Sequence, residues 1–96
     1  MINTYFDRDI HFDYLYPDYI QQLSSTHWTP IEVAKKASAF LCSPGTNVMD
    51  IGCGVGKFCL TAAFFHPDSM FYGIDQRPSL IKHANDTKKS LNLNNV

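Results

Sequence analysis

The chain predicts an α/β fold built on a parallel sheet. Three observations carry this reading. Two short, almost wholly apolar segments occupy residues 47–51 and 70–75; an apolar helical stretch, 57–65, joins them; and a glycine-rich loop, Gly52-Cys53-Gly54-Val55-Gly56, follows the first. Strands lose their polar alternation when both faces of a sheet are covered, and parallel neighbours need a long crossover such as a helix.

Each element has its own justification. Residues 1–28 form an aromatic arm with Tyr5, Phe6, Phe12, Tyr14, Tyr16, Tyr19 and Trp28. Their spacing fits neither a clean helix nor a clean strand, and such side chains need a surface to pack on, so the arm is expected against the body. It is also acidic, with Asp7, Asp9, Asp13 and Asp18 against Arg8, which reads as a solvated face. A helix is expected over 30–42: Thr29 as N-cap, Pro30 at the first helical position, Glu32 completing a capping box, and Trp28 stapled to Val33. Val33, Ala34, Ala37, Phe40 and Leu41 would face the core, with Lys35, Lys36 and Ser38 off that face. Ser43-Pro44-Gly45 ends it. A second helix over 78–92 starts at Pro78 and presents Leu80, Ile81, Ala84 and Leu91; Val96 would open a third strand.

Composition narrows the class. At 96 residues the chain is one small domain at most, and 45% apolar with 18% charged residues is ordinary for a globular protein. A formal net charge of −1 gives no bulk electrostatic case for nucleic acid. The polar, acidic start does not read as a signal peptide, and the apolar run Phe58 to Phe65 is too short to span a bilayer. Cys42, Cys53 and Cys59 form no CxxC pair and read as free thiols in a reducing cytoplasm; the four histidines are scattered, so no metal site is expected.

The loop carries the chemistry. It lies where a parallel strand ends and a helix begins, the place where open α/β sheets bind ligands. Glycines there let backbone touch a ligand and adopt positive φ. The spacing is GxGxG, not the GxGxxG of dinucleotide loops, and no Walker A pattern surrounds Gly56-Lys57. Asp75 ends the second strand about twenty residues later, where a carboxylate can accept both hydroxyls of a ribose. Cys53 is small enough to fit between glycines and has no base near it in sequence; Lys57, in the first helical turn, is expected to be solvated.

The segment Val48-Met49-Asp50-Ile51-Gly52-Cys53-Gly54-Val55-Gly56 closely resembles the first motif of class I S-adenosylmethionine-dependent methyltransferases, and Tyr72-Gly73-Ile74-Asp75 resembles their second. His27-Trp28-Thr29-Pro30 is similar to a subset of small bacterial members. The resemblance implies a Rossmann-like methyltransferase fold and S-adenosyl-L-methionine as cofactor. By it, Gly52, Gly54 and Gly56, with Cys53 and Val55 between them, approach the methionine part and ribose; Asp75 binds the ribose diol and Gln76 lies beside the adenine. Asp50 orients the loop or meets the methionine ammonium through water, and Trp28 and Thr29 face the cofactor pocket.

The resemblance covers about residues 12–96 and only about half of the family's domain. The expectation is therefore an arm, 1–28, and the N-terminal half of a cofactor-binding domain, 29–96, truncated to a leading helix and one βαβα unit. Self-association through the unfinished sheet follows. Methyl transfer from a sulfonium depends mainly on holding donor and acceptor in line, and nothing here identifies a general base, so no catalytic residue is named. Protein, RNA and small molecule all stay open as methyl acceptor. The alternatives are a fragment of a nicotinamide-dependent oxidoreductase and a non-catalytic remnant or interaction module.

Overall fold

A computed structural model describes residues 2–96. The arm is a 3-10 turn, Ile2–Phe6, followed by three short helices, α1 (Asp9–Asp13), α2 (Asp18–Gln21) and α3 (Ser24–His27). The body follows as α4 (Ile31–Leu41), β1 (Asn47–Ile51), α5 (Lys57–Phe65), β2 (Met70–Ile74) and α6 (Pro78–Ser90). β1 and β2 lie side by side and parallel, pairing Asn47 with Met70 through Ile51 with Ile74. The expected strands, crossover and second helix are therefore in place. Val96 opens no third strand among the described residues, but the chain does return to the sheet: the Phe71 N–H donates to the Asn95 carbonyl at 2.8 Å, on the edge of β2 away from β1.

α5 is the hub. Cys59, Ala62 and Ala63 pack with Phe71 of β2, while Leu60 joins the cluster built by the arm. That cluster takes Phe6, Phe12, Tyr16, Ile20 and Trp28 from the arm and Leu80 and Leu91 from the α6 region. The Phe6 and Phe64 rings stack with centroids 4.5 Å apart, and Trp28 meets Tyr16 edge-on at 5.0 Å. A helix buried on most of its circumference has no polar face to spare, which is why its sequence is apolar all round.

Expectations for Lys57 and for the leading helix are corrected. Lys57 is not solvated: only 2% of its side chain is exposed, and Nζ lies 2.7 Å from Asp9 Oδ1 and 2.9 Å from Asp13 Oδ1. Its ammonium also sits 5.6 Å from the centroids of the Phe12 and Trp28 rings. A buried ammonium needs such partners, and the acidic arm supplies them.

The leading helix is also capped differently. Pro30 occupies the N-cap with no side-chain cap, so the Thr29–Glu32 box is not formed; instead the Ile31 N–H donates to Asp9 Oδ1 at 2.8 Å. A carboxylate at a helix start satisfies an orphan donor and favours the dipole. The buried face is Ile31, Ala34 and Ser38, while Val33, Phe40 and Leu41 are exposed, so the Trp28–Val33 staple is not made. Trp28 is drawn to Lys57 and Tyr16, and the helix is rotated to suit Asp9.

Burial opposes ionisation of Asp9, but the hydrogen bonds from Lys57 and the Ile31 N–H, with the Lys57 charge, outweigh it and hold its carboxyl below the ordinary value. Asp9 therefore adds stability above its unfolded pKa of about 3.9 that is lost as pH falls through the lower folded value. Lys57→Met strands two carboxylates and is expected to cost about 3 kcal/mol. Urea denaturation checks both: the wild-type midpoint falls in acid, and the variant starts lower and falls less steeply.

Candidate functional site

The crevice lies over the C-terminal ends of β1 and β2. Ile51, Gly52, Ile74, Asp75, Gln76 and Arg77 line a cavity of about 440 Å³ there. The loop that floors it has left-handed backbone at all three glycines: φ is 79° at Gly52, 58° at Gly54 and 86° at Gly56. At Gly56 space is short as well, because a Cβ would lie 3.2 Å from that of Ala84 on α6. Side chains other than glycine are strained at such φ.

Asp75 closes the crevice. Its Oδ2 accepts the Gly54 N–H at 2.8 Å, so the carboxylate that directly follows β2 points at the glycine loop. Oδ1 accepts the Arg77 N–H at 2.9 Å, and the Arg77 guanidinium takes both oxygens, Nε on Oδ1 at 2.9 Å and Nη2 on Oδ2 at 2.8 Å. The Arg77 side chain, first, and then the two N–H donors hold the Asp75 carboxyl well below the usual carboxylate range. Arg77 is the site residue that sequence reasoning missed. Its only signal was its position two residues after the strand-ending carboxylate.

Asp50 behaves differently. Its backbone belongs to the β1–β2 pairing, its side chain makes no hydrogen bond among the described residues, and the carboxylate that accepts from the loop is that of Asp75. Burial, and then the Asp75 charge, push its carboxyl up. Asp50 is not among the residues that line the crevice, so Asp75 is the one carboxylate in that lining.

The remaining expected residues divide. Gln76 lines the crevice beside Asp75. Val55 is buried, and its carbonyl accepts the Tyr16 hydroxyl at 2.9 Å, which ties the loop to the arm. Cys53 turns away, into an apolar cavity of about 380 Å³ between β2 and α6. Burial, and then the Asp50 and Asp75 charges, raise its thiol, and burial pushes Cys59 up to about 12, so neither offers a thiolate near neutral pH. Trp28 lines a separate cavity of about 490 Å³ with Asp9, Asp13, Gln21 and Lys57. Thr29 lines neither cavity. The structure therefore gathers Gly52, Gly54, Asp75 and Gln76, and leaves Trp28 and Thr29 apart from them.

Against known proteins, residues 42–96 match a family described as methyltransferase domain. The chain belongs to that family. A 48-residue stretch is 44% identical to the tRNA (guanine-N(7)-)-methyltransferase of Synechocystis sp., covering 50% of this chain and 23% of that protein. A longer stretch is 30% identical to the enzyme of the same name from Nostoc sp., covering 81% of this chain and 36% of that one. The ribosomal RNA small subunit methyltransferase G of Christiangramia forsetii is 33% identical over 56% of this chain and 26% of its own. The chain thus spans about a third or less of these relatives' length.

The crystal structure of precorrin-6y C5,15-methyltransferase from Geobacter metallireducens GS-15 superposes with a TM-score of 0.65 at 20% identity, over 76% of this chain and 39% of that one. This likeness establishes the Rossmann-like methyltransferase fold. The matching family is not that of the oxidoreductase alternative.

Gly73 exposes how tightly the site is built. A Cβ there would lie 2.7 Å from Cys53 Sγ and 3.0 Å from Cys53 Cβ. Gly73→Ala is expected to destabilise by about 1–3 kcal/mol through this overlap, with Cys53→Ala in the same chain recovering part of the loss, both read by thermal unfolding.

Proposed function

We propose that the chain binds S-adenosylmethionine in the crevice above β1 and β2 and supplies the donor side of methyl transfer. The observation that carries this reading is the Asp75 carboxylate, 2.8 Å from the Gly54 N–H of a loop with three left-handed glycines. The residues present suit the group. The cavity is within the range for small-ligand sites, and Asp75 carries two carboxylate oxygens that can accept from two ribose hydroxyls.

When bound, S-adenosylmethionine supplies a methyl group already activated by positive sulfur. The work left to the protein is orientation. Asp75 fixes the sugar end, and the glycine backbone allows close approach without a Cβ in the way. Gln76 lies where it can meet the base. The unpaired thiols of Cys42, Cys53 and Cys59 suit a reducing cytoplasm, the compartment proposed for this activity.

Titration calorimetry with S-adenosylhomocysteine tests the reading. Wild-type chain is expected to bind it, and Asp75→Ala to bind about a hundredfold more weakly, because two hydrogen bonds to a charged acceptor are lost. Binding of NAD with none of S-adenosylhomocysteine would overturn it.

We also propose that the chain associates with a second copy through its sheet. Met49 and Ile51 of β1 and Tyr72 and Ile74 of β2 share one face, and each is exposed by 48% or more. Parallel sheets are normally covered on both faces, and a contiguous apolar patch favours a partner. Size-exclusion chromatography at micromolar concentration should show a dimer or larger species, and Ile51→Lys should shift it toward monomer; a wild-type monomer would sink the proposal.

A further inference from the structure

The Asp75 carboxylate is fully engaged before any ligand arrives. A carboxylate has about four lone-pair positions. On Oδ1 they are taken by the Arg77 N–H and Arg77 Nε, and on Oδ2 by the Gly54 N–H and Arg77 Nη2. Two of these donors are backbone and stay where the fold puts them. The other two belong to one guanidinium, and they occupy one position on each oxygen. The two O–H donors of a vicinal diol need that same pair of positions.

Exposure separates the partners. The Asp75 side chain is 2% exposed and the Arg77 side chain 54%. The guanidinium therefore lies over the carboxylate on its solvent side. It also overhangs the loop, since a Cβ on Gly54 would come within 4.0 Å of Nη2. A ligand reaching Asp75 meets Arg77 first. More than half of the Arg77 side chain already faces solvent, and the pair can open at little cost where incoming hydroxyl donors take the positions the guanidinium leaves on the buried carboxylate.

We propose that Arg77 is an internal competitor for the ribose diol, a latch that holds the sugar-binding carboxylate until two hydroxyls replace its two N–H donors. This rests on the crevice being the nucleoside site proposed above. The exchange is two donors for two, so no acceptor on Asp75 is left bare in either state. Its consequence is an affinity held below what the pocket alone would give. Arg77 is thus a gating residue rather than one that grips the ligand.

The test is calorimetry of the chain with S-adenosylhomocysteine, paired with NMR of the Arg77 Nε–H resonance. Arg77→Ala is expected to bind roughly five- to tenfold more tightly than wild type, the worth of removing a weak competing ion pair. Arg77→Lys, which keeps the charge but loses the fork, should fall between them. The double variant Arg77→Ala with Asp75→Ala should bind as Asp75→Ala alone. In wild type the Nε–H resonance should shift toward its solvent-exposed position as ligand is added. If wild type binds but both Arg77 variants bind equally or more weakly, and the resonance does not move, the latch is wrong and the nucleoside site stands. If neither wild type nor any Arg77 variant binds, the nucleoside site fails and the latch with it.

Discussion

The ammonium of Lys57 is the constraint around which the rest is arranged. It sits at the start of α5, directly after the last glycine of the loop, with 2% of its side chain exposed. A cation at a helix N-terminus opposes the helix dipole, and a buried one loses its hydration. Both penalties are offset by the arm: Asp9 and Asp13 bring opposite charge, Phe12 and Trp28 bring ring faces, and the Ser24 hydroxyl donates to Asp13. Without the arm, the helix that begins at the glycine loop would start on an unpaired charge.

Asp9 extends this linkage, because Oδ1 also accepts the first N–H of α4. One carboxylate therefore positions two helix starts at once. Tyr16 adds a third tie, from the arm to the Val55 carbonyl inside the loop. The loop's conformation, and with it the N–H that Gly54 presents to Asp75, is thus held from the arm side as well as from the sheet side. Binding geometry and folding energetics meet at the same five loop residues.

The sheet, its crossover and the crevice were legible because their signals are local. Apolar runs, a glycine triplet and a strand-ending carboxylate each act within a few residues of where they are written. The face of α4 was misread for the opposite reason. Thr29 and Glu32 spell a capping box, but Asp9, twenty-two residues before Ile31, supplies the acceptor and sets the rotation. Lys57 was misread likewise: its partners lie forty-eight and forty-four residues back, in an arm whose charges look like a solvated face when read alone. Arg77 is hard to read because its position two residues after Asp75 is the one signal it carries, and a surface arginine at that spacing looks the same as one folded onto its neighbour. Gly73 is legible as part of the second motif, and the packing of Cys53 against it shows why a side chain is excluded there.

Asn95 carries a consequence of its own. Its side-chain Nδ2 lies 3.0 Å from each of the carbonyl oxygens of Ala63, His66 and Ser69, three acceptors that share its two N–H donors, while its backbone carbonyl accepts from the Phe71 N–H. The last turn of α5, the connection into β2 and the edge of that strand are riveted at a single residue. Local opening of any one of them must release the others, so the crossover behaves as one cooperative unit in hydrogen exchange rather than fraying piecemeal.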